Sequence, residues 1–350
     1  NVRYFSGFDT QFWESPTRPW FLVVPREGAP IAVVPEIGAA GMAATWVDDV
    51  RSWPAPRPED DGVSLLAQAL AQLPRRYGRI GAELGRESVV RMPLVDLERV
   101  REALPGLALA DGTRVLRALR GVKSEAEIAR IRHVCTIASD GFEALAGHLA
   151  AGMSEREACR RLRIDILARG ADNVPFMPGV AGPGGYDNII MGPTERVIET
   201  GDVLIIDTGA TYDGYYCDFD RNYAFGEIGD AARRAHEVVW QATEAGIAAA
   251  RPGATTSDVW RAQARVLESG GSLGSNVGRF GHGLGLELTE PPSNMPGDDT
   301  VLAPNMVITI EPGMEYAPGK MIVHEEDVVI RGDGAELLSR RAPREMPVVK

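Results

Sequence analysis

The sequence predicts an α/β (α+β) protein in two parts, a small α/β domain over residues 1–120 and a larger mixed domain over residues 121–350. Three observations predict it. The chain has 350 residues, more than one hydrophobic core usually supports. Its first third alternates β-branched apolar runs with helical stretches, the pattern of a small layered α/β domain. The remainder carries two long helical stretches, each followed by a glycine, a hydroxyl cap and another helix, ahead of strands that bear acids.

Taken in order, 20–24 and 31–34 are apolar runs that read as strands. Residues 64–73 and 93–103 read as helices, and 53–61, rich in proline and charge, as a surface loop. Ser124-Glu125-Ala126-Glu127 is a capping box opening a helix to about Leu149. Ser154-Glu155-Arg156-Glu157 repeats that signature and opens a helix ending near Gly170. A long helix over 230–250 precedes Gly253-Ala254-Thr255-Thr256-Ser257-Asp258, which matches Gly152-Met153-Ser154-Glu155-Arg156-Glu157 in form. Each reads glycine, spacer, hydroxyl cap, then an acid three positions on. Two ordinary helix starts account for this, and so does a duplicated unit.

Between these helices lies VLIIDTGATYDGYYCDFDRNYAF. Val203–Asp207 is a short apolar run suited to a buried strand. Tyr212-Asp213-Gly214 is turn chemistry, with Gly214 free to take φ > 0. Tyr215–Phe225 then returns as the second strand of a hairpin, placing Tyr216, Asp218 and Asp220 on one face and Cys217 and Phe219 on the other. Several carboxylates on one face repel unless a cation sits among them. A solvated acidic edge is the alternative. The C-terminal third adds His282 in FGHGLG, Glu311 at the end of an apolar run before Pro312-Gly313, and the acids of VHEED. Four carboxylates with one imidazole suit divalent ions such as Mn²⁺, Fe²⁺, Co²⁺ or Zn²⁺. Two ions balance that charge better than one, and such pairs activate water for hydrolysis.

In this order and setting, Asp207 and Asp218 in DTG…YCD, His282 in GHGLGLELTE, Glu311 in TIEPGM and Glu325 in VHEED resemble the ligand set of the pita-bread metallohydrolases. That family, peptidase family M24, includes methionine aminopeptidase, aminopeptidase P, prolidase and the metal-free relative creatinase. NVRYFSGF also resembles part of the small domain of the last three. The resemblance implies a creatinase/prolidase-like N-terminal domain, a pita-bread catalytic domain with pseudo-twofold αβ halves, two divalent metal ions and a homodimer. It implies a strand and helix ahead of Asn1 as well. Asp218 and Glu325 would bridge the ions, with Asp207 on one, His282 and Glu311 on the other, and Glu311 also moving the proton. Glu325 and Glu326 are neighbours, so on a strand only one can face the metals. Aligning the apolar run 328–330 with the family's pattern selects Glu325 and turns Glu326 and His324 away.

Composition narrows the partners. A net charge of −12 with dispersed arginines offers nucleic acid no basic patch. No apolar run approaches the length of about 18 residues that spans a bilayer. Three cysteines, Cys135, Cys159 and Cys217, are odd in number and point to a reducing cytoplasm; Cys217 reads as core packing. A small molecule or short peptide is the expected substrate.

The chain also departs from the family. Its peptidases usually carry further histidines where this chain has Met191, Gly278 and Thr289. An imidazole near neutrality is hard to replace in proton transfer. His133, His148 and His236 fall in helical stretches and are expected on partly exposed faces. Asp220 stands where a threonine or serine is usual, either salt-bridged to Arg221 or Arg279 or acting as a base or a cation-binding group. Met191 and Thr289 become candidate substrate-binding positions, and Glu311 and Asp220 candidate catalytic ones. Three readings follow: an Xaa-Pro-type metallopeptidase, a non-peptidase metal hydrolase or lyase of a small nitrogenous metabolite, and a catalytically inert binding protein. An intact ligand set speaks against the third.

Overall fold

In the computed structural model, which describes residues 1–15, 17–74, 76–274 and 277–350, the chain divides into two compact units, Asn1–Ala118 and Leu119–Lys350. In the first unit, Phe21–Val23 pairs antiparallel with Ile31–Pro35, which pairs parallel with Asp49–Trp53. The parallel pair needs a crossover, which helix Glu36–Ala43 supplies. Helices Val63–Ala71 and Leu94–Ala103 stand where apolar periodicity placed them, within two residues at each end. Ile31, Val33, Trp53, Leu66, Leu70 and Val100 form one apolar cluster between these layers.

The second unit is built from two halves that repeat a local plan. Ser124 and Glu127 form the full capping box that starts helix Glu125–Leu145; such a cap contributes about 1 kcal/mol. This helix stops four residues short of Leu149, at a turn. Gly152, with φ 94°, then turns the chain, and the Ser154 hydroxyl accepts from the Glu157 amide to open helix Glu155–Ala168. In the other half, helix Asp230–Ala249 leads to Gly253, with φ 87°, and the Thr255–Asp258 capping box opens helix Thr256–Ser269. The parallel reaches the hydrogen bonds. The Gly152 amide donates to the Ile198 carbonyl at 2.9 Å and the Ile198 amide to Met153 at 2.8 Å. Gly253 donates to Leu302 at 3.0 Å and Leu302 to Ala254 at 2.8 Å. In each half a helix pair is thus tied to the segment just before a strand that leads into an acid, Asp207 or Glu311.

The first sheet runs Val348–Val349, Phe219–Phe225, Asp202–Tyr212, Asn173–Phe176, with Gly179–Pro183 also paired to Asp202–Ile206. The second runs Glu290–Ser293, His282–Gly283, Val307–Ile310, Glu326–Arg331, Gly334–Leu337. One face of the first sheet buries Leu204, Ile206, Phe219, Tyr223 and Phe225 with Ile131, Phe142 and Leu162 from the helices. The opposite face carries Val203, Ile205 and Ala224 beside Tyr186, Met321 and Val323. Period-two alternation therefore puts Asp207 and Asp220 on the face away from helices Glu125–Leu145 and Glu155–Ala168. Among the described residues no helix is long and apolar enough to cross a membrane.

One expectation fails here. His236 is 4% exposed. The C-terminal tail crosses its helix, with Trp240 donating to the Ala342 carbonyl at 3.1 Å and Arg341 stacked over the Trp240 ring at 4.4 Å. His133 and His148 are exposed, the latter in the turn beyond the helix.

Candidate metal centre

The hairpin positions three of the acids. Asp213 and Gly214 both take positive φ, 48° and 77°, the pairing of a tight two-residue turn whose twist matches the strands. The outgoing strand extends to Tyr212, well past Asp207. The return is interrupted between Tyr215–Tyr216 and Phe219–Phe225, yet the register holds, with Thr211 opposite Tyr216 and Asp207 opposite Asp220. At the interruption the Asp218 amide turns aside and donates to the Asp327 carboxylate at 2.9 Å. Cys217 packs into the apolar cluster on the other face.

His282 comes from a short strand entered through Gly281, whose φ is 125°. A Cβ there would lie 2.1 Å from the Thr309 carbonyl oxygen, so only glycine lets the strands approach. The imidazole Nδ1 lies 2.9 Å from the Gly283 carbonyl, which fixes Nδ1 as the donor and leaves Nε2 with its lone pair. Nε2 lies 3.4 Å from Asp218 Oδ2. Glu311 follows strand Val307–Ile310, its amide donating to the Phe280 carbonyl at 3.1 Å. Glu325 lies just before strand Glu326–Arg331. One ligand atom each from Asp218, His282 and Glu325 fall within 4.8 Å of one another.

The adjacent acids of VHEED separate as alternation requires. Glu326 faces Arg221 at 3.0 Å, Arg341 at 3.1 Å, the Ala342 amide at 2.8 Å and the Ser339 hydroxyl. His324 lies on that side too, with Arg341 at 3.0 Å. Glu325 points the other way, into the acid cluster. Asp220 has neither of the ion pairs considered for it. Arg221 reaches Glu326 and the carbonyls of Asp220, Glu325 and Arg340, while Arg279 donates to the Ser293 hydroxyl at 3.1 Å.

Electrostatically the cluster is frustrated. Asp207 Oδ1, Asp218 Oδ1, Asp220 Oδ1 and Glu325 Oε1 are buried with no hydrogen-bond partner among the described residues. Desolvation raises the pKa of Asp218 and Glu325 well above the carboxylate range, and the neighbouring acids add to it. Asp207 and Glu311 keep some contact with solvent. Loss of water still pushes Asp207 up to about 7 and, with the Asp207 charge, Glu311 to about 8. Burial holds His282 down at about 4, so its ring is neutral at physiological pH. Unanswered carboxylate oxygens around a neutral, ligand-ready imidazole are the donor set of a divalent cation.

These shifts carry a pH signature. Raised folded-state pKa values mean that the metal-free fold binds more protons than the unfolded chain between about pH 4 and 8. The contribution of these groups to stability is therefore fully present below the ordinary carboxylate range and is lost as pH rises through 7 and 8. Bound cations remove that penalty. Melting curves at pH 5 and pH 8 should show the chelator-stripped protein losing stability and the Mn²⁺-loaded protein much less affected. Parallel curves would rule the cluster out as their cause.

The remaining candidates lie at the periphery. Met191 is 59% exposed and lines a cavity of about 360 Å³ with Glu155, Val180, Asp187, Asn188 and Arg196, none of them from the acid cluster. Thr289 is exposed in the bend before Glu290. Sequence alone assigned no role to two residues near the site. Tyr186 donates to Asn222 at 3.0 Å and accepts from the Val323 amide at 2.7 Å, beside Asp220. Asp327 accepts from Asp218. The alternation that separates Glu325 from Glu326 puts Asp327 on the Glu325 side, so that signal was present.

The model described as Metallopeptidase family M24 matches residues 129–332, and that of the Creatinase/Prolidase N-terminal domain matches residues 1–122. Probable dipeptidase PepE of Mycobacterium tuberculosis is 31% identical over 340 residues, 94% of this chain and 85% of that protein. The solved dipeptidase PepE from Mycobacterium ulcerans gives a TM-score of 0.83 at 30% identity, covering 99% of this chain and 90% of that one. Prolidase from Thermococcus sibiricus gives 0.87 at 26% identity, covering 99% and 92%. With both family models matched, this chain belongs to metallopeptidase family M24, as a metal-dependent hydrolase with a creatinase/prolidase-type N-terminal domain and a pita-bread catalytic domain.

Proposed function

We propose that the protein is a dinuclear-metal hydrolase that cleaves an amide bond in a short peptide, in the manner of Xaa-Pro aminopeptidases and dipeptidases. The observation that carries this is the grouping of Asp218, His282 and Glu325, whose ligand atoms lie within 4.8 Å of one another, with the His282 Nε2 lone pair left open by the Nδ1 contact to Gly283. In this reading Asp218 and Glu325 would be shared by both ions, Asp207 would hold one, and His282 and Glu311 would hold the other. When bound, the ions polarise the scissile carbonyl and lower the pKa of water to near neutrality.

The chain's own residues do the rest. The Gly283 carbonyl fixes the His282 tautomer. Asp327 holds the Asp218 backbone where the return strand is interrupted, which fixes the base of the carboxylate. Glu311 stays partly open to solvent, which suits it to take a proton and return it to the leaving amine. Free, buried Cys135, Cys159 and Cys217 support a reducing compartment such as the cytoplasm.

A second reading, a metal hydrolase or lyase acting on a small nitrogenous metabolite, is favoured by Met191, Gly278 and Thr289 at the positions where the family resemblance implies histidine. Mn²⁺-loaded protein assayed on Xaa-Pro dipeptides, Xaa-Pro-led longer peptides, small amides and amidines separates the two. Turnover of Xaa-Pro substrates is the expected result, at rates below those of histidine-bearing relatives. Turnover confined to the small amides or amidines would replace the peptidase reading with the second.

A further inference from the structure

We infer that Asp220 is a further ligand of the metal centre, sharing with Asp207 the ion remote from His282. The inference rests on the dinuclear reading above and adds to it a protein donor at the Asp207 ion.

The register supplies the geometry. Asp220 and Asp207 are directly opposite in the antiparallel pair, so their side chains leave the same face with Cβ atoms about 4.5–5.5 Å apart. Two carboxylates at that spacing can close on one cation. Both have an oxygen, Oδ1 in each case, buried without a hydrogen-bond partner. Asp220 is 1% exposed. The nearby guanidinium groups are engaged elsewhere, Arg221 on Glu326 at 3.0 Å and Arg279 on Ser293 at 3.1 Å.

Like charges placed directly opposite each other destabilise a sheet, and a buried, unpaired carboxylate is costlier still. A threonine or an apolar residue would fill this strand position without either cost. An ion between the pair converts both costs into coordination. The Asp207 ion then has only carboxylate oxygen donors from the protein, Asp207, Asp218, Glu325 and Asp220, while its neighbour has the imidazole. Oxygen-only donors favour hard ions, so the two positions should differ in metal preference, with Mn²⁺ favoured at Asp207.

The test is titration of chelator-stripped wild type, Asp220→Asn and Asp220→Thr with Mn²⁺ by calorimetry, alongside melting curves of the stripped and loaded forms. Wild type should take up two ions. Both variants should keep the affinity of the ion at His282 and lose at least about tenfold in affinity for the other. Stripped, they should melt no lower than stripped wild type, because one of two opposed charges is gone. Two ions bound as tightly by the variants as by wild type would overturn the inference and leave the dinuclear reading standing. Stripped variants that melt well below stripped wild type, with unchanged affinity, would make Asp220 structural and overturn it too. Wild type binding fewer than two ions would remove the dinuclear reading and this inference together. Asp220→Thr keeps the test open if Asp220→Asn does not fold, since the threonine hydroxyl needs less room.

Discussion

Glu311→Gln should leave the protein folded and able to bind metal while lowering kcat by about 10²–10⁴-fold, the range for loss of a positioned general acid–base. The substitution keeps the side chain's length and one oxygen donor and removes the titratable group. Glu311 is the member of the cluster best placed to move protons. It is partly open to solvent, whereas Asp218 and Glu325 are almost fully buried. Its backbone is pinned by the bond from its amide to Phe280, so the variant has no reason to move. The comparison must be made at matched metal content, measured by elemental analysis on the same samples. A wild-type kcat at full metal occupancy would take the proton-transfer role away from Glu311 and leave it a ligand only.

Why this residue could be singled out from sequence, and others could not, comes down to the range of the forces involved. The hairpin is legible because its determinants are local: an apolar run, a turn with Gly214 and a period-two face. The same periodicity separates Glu325 from Glu326, and in the structure Glu326 does lie against Arg221 and Arg341 while Glu325 joins the acids. The repeated glycine–cap–helix signature at Gly152 and Gly253 is local too, and the matching hydrogen bonds to Ile198 and Leu302 give it a structural counterpart.

The misses are non-local. His236 is buried because residues about 105 positions later lie across its helix, as the Trp240–Ala342 bond shows. Nothing near His236 in sequence reports that. Arg221 looked available to its neighbour Asp220, yet the two lie on opposite faces of one strand, and the guanidinium follows its own face to Glu326. Tyr186 acts through Asn222 and Val323, two partners from distant strands, within a glycine-rich loop that gives no periodic signal. Met191 is the converse case. Its position relative to a motif was readable, but which cavity it lines depends on how the loop 184–196 folds back on strand Gly179–Pro183.

Asp218→Ala should severely weaken uptake of both ions, because its carboxylate is one of the two proposed to reach both. It is 3% exposed, lies within 3.4 Å of His282 Nε2, and raises or shares the charge burden of Glu325. The sign of the stability change is what makes the experiment decisive. A buried carboxylate that served folding would have a donor for each oxygen, and its loss would destabilise the stripped protein by several kcal/mol. Here Oδ1 has no partner, and the surrounding acids oppose its ionisation. The contact that anchors this segment runs from the Asp218 amide to Asp327, which alanine retains. Stripped Asp218→Ala should therefore melt at or above stripped wild type, while Mn²⁺ raises the melting temperature of wild type and leaves the variant unmoved, as expected when a ligand binds only the native state. Apparent metal affinity should fall by more than about a hundredfold, beyond what loss of an outer partner of a ligand costs, and hydrolysis should fall with it. A stripped variant that melts far below stripped wild type would mean that Asp218 holds the hairpin itself, and a variant that still binds two ions would move the bridge to Glu325 alone.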